Sequence, residues 1–252
     1  MGILDLFSKQ GRTERARAGN IKGAINKYAQ SADRFRNLQA LRDDGSDEAL
    51  YGLLRRFGMM YDKTIEDEQE KDWVFEVLVE KGITILSSLK KYMREAESIS
   101  WPLRLLDKVA DREVEQATIQ EILERHEPGY ERDPTKKIQL LNHLAGLKDQ
   151  RVPPLAAPYL ADMDEGVRYA AVEALVRQGD EAAGAGPLLD QLTKAEEDSL
   201  RIRLQIAEGF ADLGWPVPAD RRDAALKFLP DAFKLASPKG DSKIDKKNPA
   251  QS

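Results

Sequence analysis

The strongest constraint in this 252-residue chain is a stretch that occurs three times at nearly constant spacing. VRYAAVEALVRQG (167–179) lies over IRLQIAEGFADLG (202–214) at an offset of 35, matching Val167 with Ile202, Arg168 with Arg203, Ala171 with Ile206, Leu175 with Phe210 and Gly179 with Gly214. KKIQLLNHLAGLK (136–148) joins them at an offset of 31, with Lys137 under Arg168, Leu140 under Ala171 and Leu144 under Leu175. Self-similarity at a period of ~20–50 residues is the mark of stacked repeat architectures. In the central copy Val167, Ala170, Ala171, Ala174 and Leu175 form one apolar stripe at helical spacing. Gly179 supplies a C-terminal stop, and the carboxylates of the 162–164 turn can cap the helix start. Residues 153–160, opening on proline, predict a shorter helix before that turn, so each copy reads as a helical hairpin.

One hairpin is too small to bury its own stripe, and stacking on neighbours creates a continuous core. The expected fold is therefore all-α, an α-solenoid of stacked hairpins. Pro187, Leu188, Leu189 and Leu192 fill the first helix of the last unit. Upstream, residues 49–58, 72–82 and 99–109 read as degenerate second helices, and residues 19–32 as an amphipathic capping helix through Ile21, Ala24, Ile25, Tyr28 and Ala32. The expected organisation is an N-terminal amphipathic segment and cap over 1–30, a solenoid over 31–236 and a disordered tail over 237–252, where no apolar stripe remains.

A proline in the first helix, an Asp turn and Val-Arg-x-x-Ala-x-x-Ala-Leu opening the second helix are carried here by Pro158, Asp162, Val167, Arg168, Ala171, Ala174 and Leu175. In these residues the chain resembles the HEAT-repeat family, including the bacterial HEAT-like repeats of phycobilin lyases. The resemblance is good over 150–179, fair over 185–214 and covers half a unit at 132–148. It implies a non-enzymatic scaffold or adaptor that takes a protein partner on its concave second-helix face. The basic column Lys137, Arg168 and Arg203 is the candidate contact. In such repeats the arginine often pairs with a turn aspartate, and that structural role is the other reading of the column.

The absence of cysteine excludes disulfides and thiolate chemistry, and two histidines leave little for a zinc site, so no metal and no cofactor are expected. No run reaches the ~18 apolar residues of a membrane span, and no secretory pattern opens the sequence, which together predict a cytoplasmic protein. A net charge of −5 argues against wholesale nucleic-acid binding, yet the charge is unevenly spread. Residues 1–42 hold nine Lys/Arg against three acids, and residues 43–80 hold four against twelve. Mutual neutralisation across a helix interface accounts for this, and a basic docking surface is the alternative.

The chain shows no phosphate-binding glycine loop, no Gly-x-Ser-x-Gly and no His-Glu-x-x-His. His143 aligns with Ala174 on the buried stripe, while His126 suits a helix end. The competing enzymatic reading is a HEAT-like DNA-binding enzyme of the alkylpurine glycosylase type, which would need Trp73 or Trp101 in a basic groove. Both tryptophans sit in apolar helix patterns that packing explains. At the N-terminus, Ile3, Leu4, Leu6 and Phe7 precede the basic segment and suggest a weak peripheral membrane contact or a partner anchor.

Overall fold

The computed structural model describes residues 9–236 and 241–247. The apolar cluster Ile3, Leu4, Leu6 and Phe7 lies outside them. Helices predominate, as the periodicity predicts, and the chain divides into two compact units, Met1–Ile122 and Leu123–Ser252.

In the first unit the helices are α1 (Lys9–Ala24), α2 (Ser31–Asp44), α3 (Asp47–Leu54), α4 (Thr64–Lys81), α5 (Leu86–Glu95) and α6 (Ser100–Val109). Helix α7 (Arg112–Leu123) closes it. Packing alternates: α1, α3 and α5 stack in one series, and α2, α4 and α6 in another. The stretches 72–82 and 99–109 fall in α4 and α6 or at their ends, whereas 49–58 spans α3 and the 3₁₀ turn Arg55–Gly58 and belongs to the other series. Wholly buried Leu38, Leu41, Leu53, Leu54, Leu78, Leu89 and Met93 build the core.

The capping helix expected over 19–32 is broken. Helix α1 ends at Ala24 because Asn26 turns the chain: its Oδ1 accepts the Tyr28 N–H at 3.0 Å and its carbonyl accepts the Ala29 N–H at 3.1 Å. An asparagine that bonds its own neighbourhood offers the backbone an alternative to the helical ladder. Tyr28 consequently points to solvent rather than into a stripe.

The second unit contains α8 (Thr135–Gly146), α9 (Val152–Ala156), α10 (Glu165–Gln178), α11 (Glu181–Thr193), α12 (Leu200–Leu213) and α13 (Arg222–Phe228). Helix α10 packs against α8 on one side and α12 on the other, while α11 touches α9 and α13. The aligned positions Leu140, Ala171 and Ile206, and likewise Leu144, Leu175 and Phe210, are all wholly buried. Caps behave as read: Asp164 accepts the Val167 N–H at 3.0 Å, and Gly179 and Gly214 end α10 and α12 at φ 69° and 66°. Helix α9 tightens into a 3₁₀ turn over Ala157–Ala161, where Pro158 has no N–H to continue the ladder.

Two helices approach closely at Gly209 of α12, where a Cβ would lie 2.6 Å from Val176 Cγ2 of α10. Gly209→Leu should therefore destabilise the chain by about 1–3 kcal/mol through overpacking. Gly19→Ala in α1, where a Cβ meets nothing within 4 Å, should instead gain about 0.5–1 kcal/mol. Urea denaturation of the two variants tests the difference in sign.

The tail expected to be disordered over 237–252 holds a strand. Residues β1 (Pro216–Val217), β2 (Phe233–Ala236) and β3 (Ser242–Lys246) form an antiparallel sheet in the order β1–β3–β2, so helix is not the whole of the fold. Leu235 pairs with Ile244, which is buried, and Lys246 reaches Glu208 at 3.0 Å and Asp212 at 2.9 Å on α12. A strand of five residues carrying one buried apolar side chain leaves no stripe for a periodicity test to find.

Candidate functional site

The basic column sits at the starts of α8, α10 and α12, and its members are engaged within their own unit. Lys137 Nζ lies 2.9 Å from Asp162 Oδ2 and donates to the Gly129 carbonyl at 3.0 Å. Arg168 grips Glu197 with two parallel hydrogen bonds of 2.9 and 3.0 Å, and its Nη1 donates to the carbonyls of Asp162 and Met163 at 3.1 Å each. Arg203 donates to the Lys194 carbonyl at 3.1 Å and lays its guanidinium 4.7 Å from the Phe228 ring centre.

Each acid also organises the next helix. Asp162 accepts the Asp164 N–H at 2.9 Å, Glu197 accepts the Ser199 N–H at 2.9 Å, and Asp164 and Ser199 are the N-caps of α10 and α12. A base on one helix thus holds the acid that sets the start of the next. Burial would raise the Glu197 carboxyl, but hydrogen bonds from Arg168, the Ser199 N–H and Gln191 outweigh it and hold it below the usual carboxylate range. The Arg168–Glu197 hydrogen bond raises the guanidinium correspondingly.

As a partner contact, Lys137 needs correction: its side chain is 1% exposed, and leaving Asp162 would strand a buried carboxylate. An acid does recur six residues ahead of each base, Glu131, Asp162 and Glu197 before Lys137, Arg168 and Arg203, but the tie runs from each base to the acid of the following copy. Reading the basic residues as a column without the acids ahead of them hid it.

Near the starts of these helices, three large apolar side chains face solvent. Tyr130 precedes α8, Met163 precedes α10 and Leu200 opens α12, with exposures of 81, 72 and 61%. Tyr130 follows the Gly129 carbonyl that Lys137 holds, and the Met163 carbonyl is itself held by Arg168.

The basic and acidic stretches of the first unit meet as opposite charges. Arg17 pairs with Asp44 at 2.9 Å and Glu48 at 3.3 Å. Deeper, Glu70 accepts from Arg34 at 2.7 Å, Arg56 at 2.8 Å and Ser31 Oγ at 2.9 Å, while Asp67 takes Arg56 at 2.7 Å and Lys71 at 2.5 Å. Burial raises both carboxyls, but these bonds prevail and hold Asp67 and Glu70 below their ordinary values.

Trp73 and Trp101 each pack in aromatic clusters of the first unit, Trp73 edge-on to Phe35 at 4.8 Å and Trp101 stacked on Phe57 at 5.3 Å. His126 Nδ1 sits 2.8 Å from Glu131, and Tyr159 Oη donates to the His126 carbonyl at 3.0 Å. Among the described residues no group of three His or acidic side chains is placed to hold a metal, and no helix is long and apolar enough to cross a membrane. The sequence matches no protein-family model and no curated protein.

Proposed function

We propose that this chain is a HEAT-like α-solenoid of the bacterial type, working in the cytoplasm as a non-enzymatic adaptor for a protein partner. The alternating helix series within each unit and the repeated base–acid–cap tie support the architecture. The observation that carries the binding role is the exposure of Tyr130, Met163 and Leu200, one ahead of or at the start of each aligned helix. Large apolar side chains left in water near helix starts suit a protein surface that buries them. Of the basic column, Lys137 and Arg168 hold backbone carbonyls at or beside Tyr130 and Met163.

A DNA-binding reading requires cations free to neutralise phosphates. Lys137 and Arg168 are already matched by Asp162 and Glu197.

A photo-crosslinking amino acid placed singly at Tyr130, Met163 and Leu200 in cells tests the adaptor. The same protein should be trapped from all three positions, and the adduct should vanish in a Met163→Glu/Leu200→Glu background. Trapping of that protein equally from the exposed residue Ile83 would refute the contact, as would three unrelated adducts.

A further inference from the structure

The ties in the second unit run from each base to the acid of the next copy, Lys137 to Asp162 and Arg168 to Glu197, 25 and 29 residues on. Counting the same distances from Arg203, the third base, reaches the stretch FLPDA, residues 228–232. The nearer end of that stretch holds Phe228, and the guanidinium rests 4.7 Å from its ring centre. Asp231, the one acid there, is exposed, and among the described residues no acid pairs with Arg203. The last base of the series therefore meets a ring where the others meet a carboxylate. Terminal units of stacked repeats differ in this way because no further copy follows to complete them.

An aromatic face attracts a cation without neutralising it. Lys227 of α13 brings a second cation to the same ring, its Nζ 5.1 Å from the centre, and it too is exposed and has no ion pair among the described residues. Of the Arg203 donors, Nε is buried and out of a ligand's reach, and Nη2 is taken by the Lys194 carbonyl at 3.1 Å. Nη1 is the donor that remains, unpaired among the described residues and open to solvent, where Nε is not. Leu200, 61% exposed, stands three residues before Arg203 on α12, which makes the two neighbours on the helix surface.

The nearby acids narrow the occupant. Asp198 lies 3.9 Å from Arg168, and Asp190 takes Arg221 at 2.5 Å, so both answer other bases. Glu196 and Asp231 stand exposed in the flanking turns. They oppose a run of phosphates, whereas a single carboxylate between two cations on one ring is matched. We propose that this end of the second unit docks an acidic segment of a partner protein. Its glutamate or aspartate takes the Arg203 Nη1 proton in a hydrogen bond and faces Lys227, supplying the carboxylate that the series lacks, while an adjacent large apolar side chain covers Leu200. The kind of occupant rests on the adaptor reading, but the site uses neither Tyr130 nor Met163.

A random dodecapeptide library displayed on phage and selected on the full chain supplies the probe. The recovered peptides should share an acid next to a large apolar residue. The strongest of them, as a free peptide, should bind Arg203→Gln about tenfold or more weakly, through loss of a charge-assisted hydrogen bond. Lys227→Gln should weaken it about threefold, as for an exposed pair. Changing the peptide's own acid to the amide should cost as much as Arg203→Gln, with the protein untouched and unfolding therefore excluded. Phe228→Glu places a carboxylate 25 residues after Arg203, as Asp162 stands after Lys137, and should close the site from within. Arg151→Gln, an exposed position of the same unit, should bind normally. Peptides without a shared acid, equal affinity in Arg203→Gln, or displacement by an equal concentration of single-stranded oligothymidylate would each overturn the assignment. Crosslinks from Tyr130 and Met163 without acid-selective peptides would sink this site and leave the adaptor standing; acid-selective binding through Arg203 without a common adduct would do the reverse.

Discussion

Replacing Glu70 by glutamine should lower the stability of the first unit by about 3–5 kcal/mol, the range for breaking a buried ion pair from one side. Glu70 is the shared counter-charge of Arg34 and Arg56, both wholly buried, and it also accepts from Ser31. An amide of the same shape keeps the volume but leaves two guanidiniums facing a single remaining carboxylate, Asp67, which reaches only Arg56 and Lys71. The pH dependence has a definite sign. Folded Glu70 and Asp67 hold their protons less tightly than the unfolded chain does, so their stabilisation is complete above the ordinary carboxylate range and drains as pH falls through it toward their depressed values. Glu70→Gln should therefore show a shallower loss of stability on acidification than the parent. Urea titrations across mildly to strongly acidic pH measure both effects, and a loss under about 1 kcal/mol at neutral pH would show the cluster to be as weak as a surface pair.

Asp162→Ala should cost the second unit a comparable ~3–5 kcal/mol. It removes the partner of buried Lys137 together with the acceptor for the Gly129 and Asp164 N–H groups. Adding Lys137→Met should recover part of the loss, because the stranded ammonium disappears while the two amides remain unserved. A double-mutant cycle read by chemical denaturation isolates the pair. Strict additivity of the two changes would mean that Asp162 acts through the turn alone.

How far the fold could be read from the chain depended on whether the signal was local and periodic. The stripes at 136–148, 167–179 and 202–214 announce themselves, since a helix that must bury one face repeats its apolar positions. The break at 25–30 did not, because Ile25 and Tyr28 continued the spacing while a single side chain, Asn26, diverted the backbone. Strand β3 was equally silent: its partners are 7 to 27 residues away, and Ile244 is its one apolar anchor. The candidate sites depend on still less local facts. The column Lys137, Arg168 and Arg203 was visible, but its direction was not, since burial is decided by the acids 25 and 29 residues further on.

Those two separations carry a last consequence. From acid to the following base the count is six in all three copies, whereas from base to the following acid it is 25 in one and 29 in the other. The four-residue difference is absorbed in the stretch holding α9 in the one case and α11 in the other. Insertions there change the length of a unit without disturbing its phase. An insertion of one residue between Asp164 and Arg168 would rotate the rest of α10 by about 100° relative to its cap, carrying its stripe off the core. Variation in length among chains of this design should collect on the first of these stretches and spare the second.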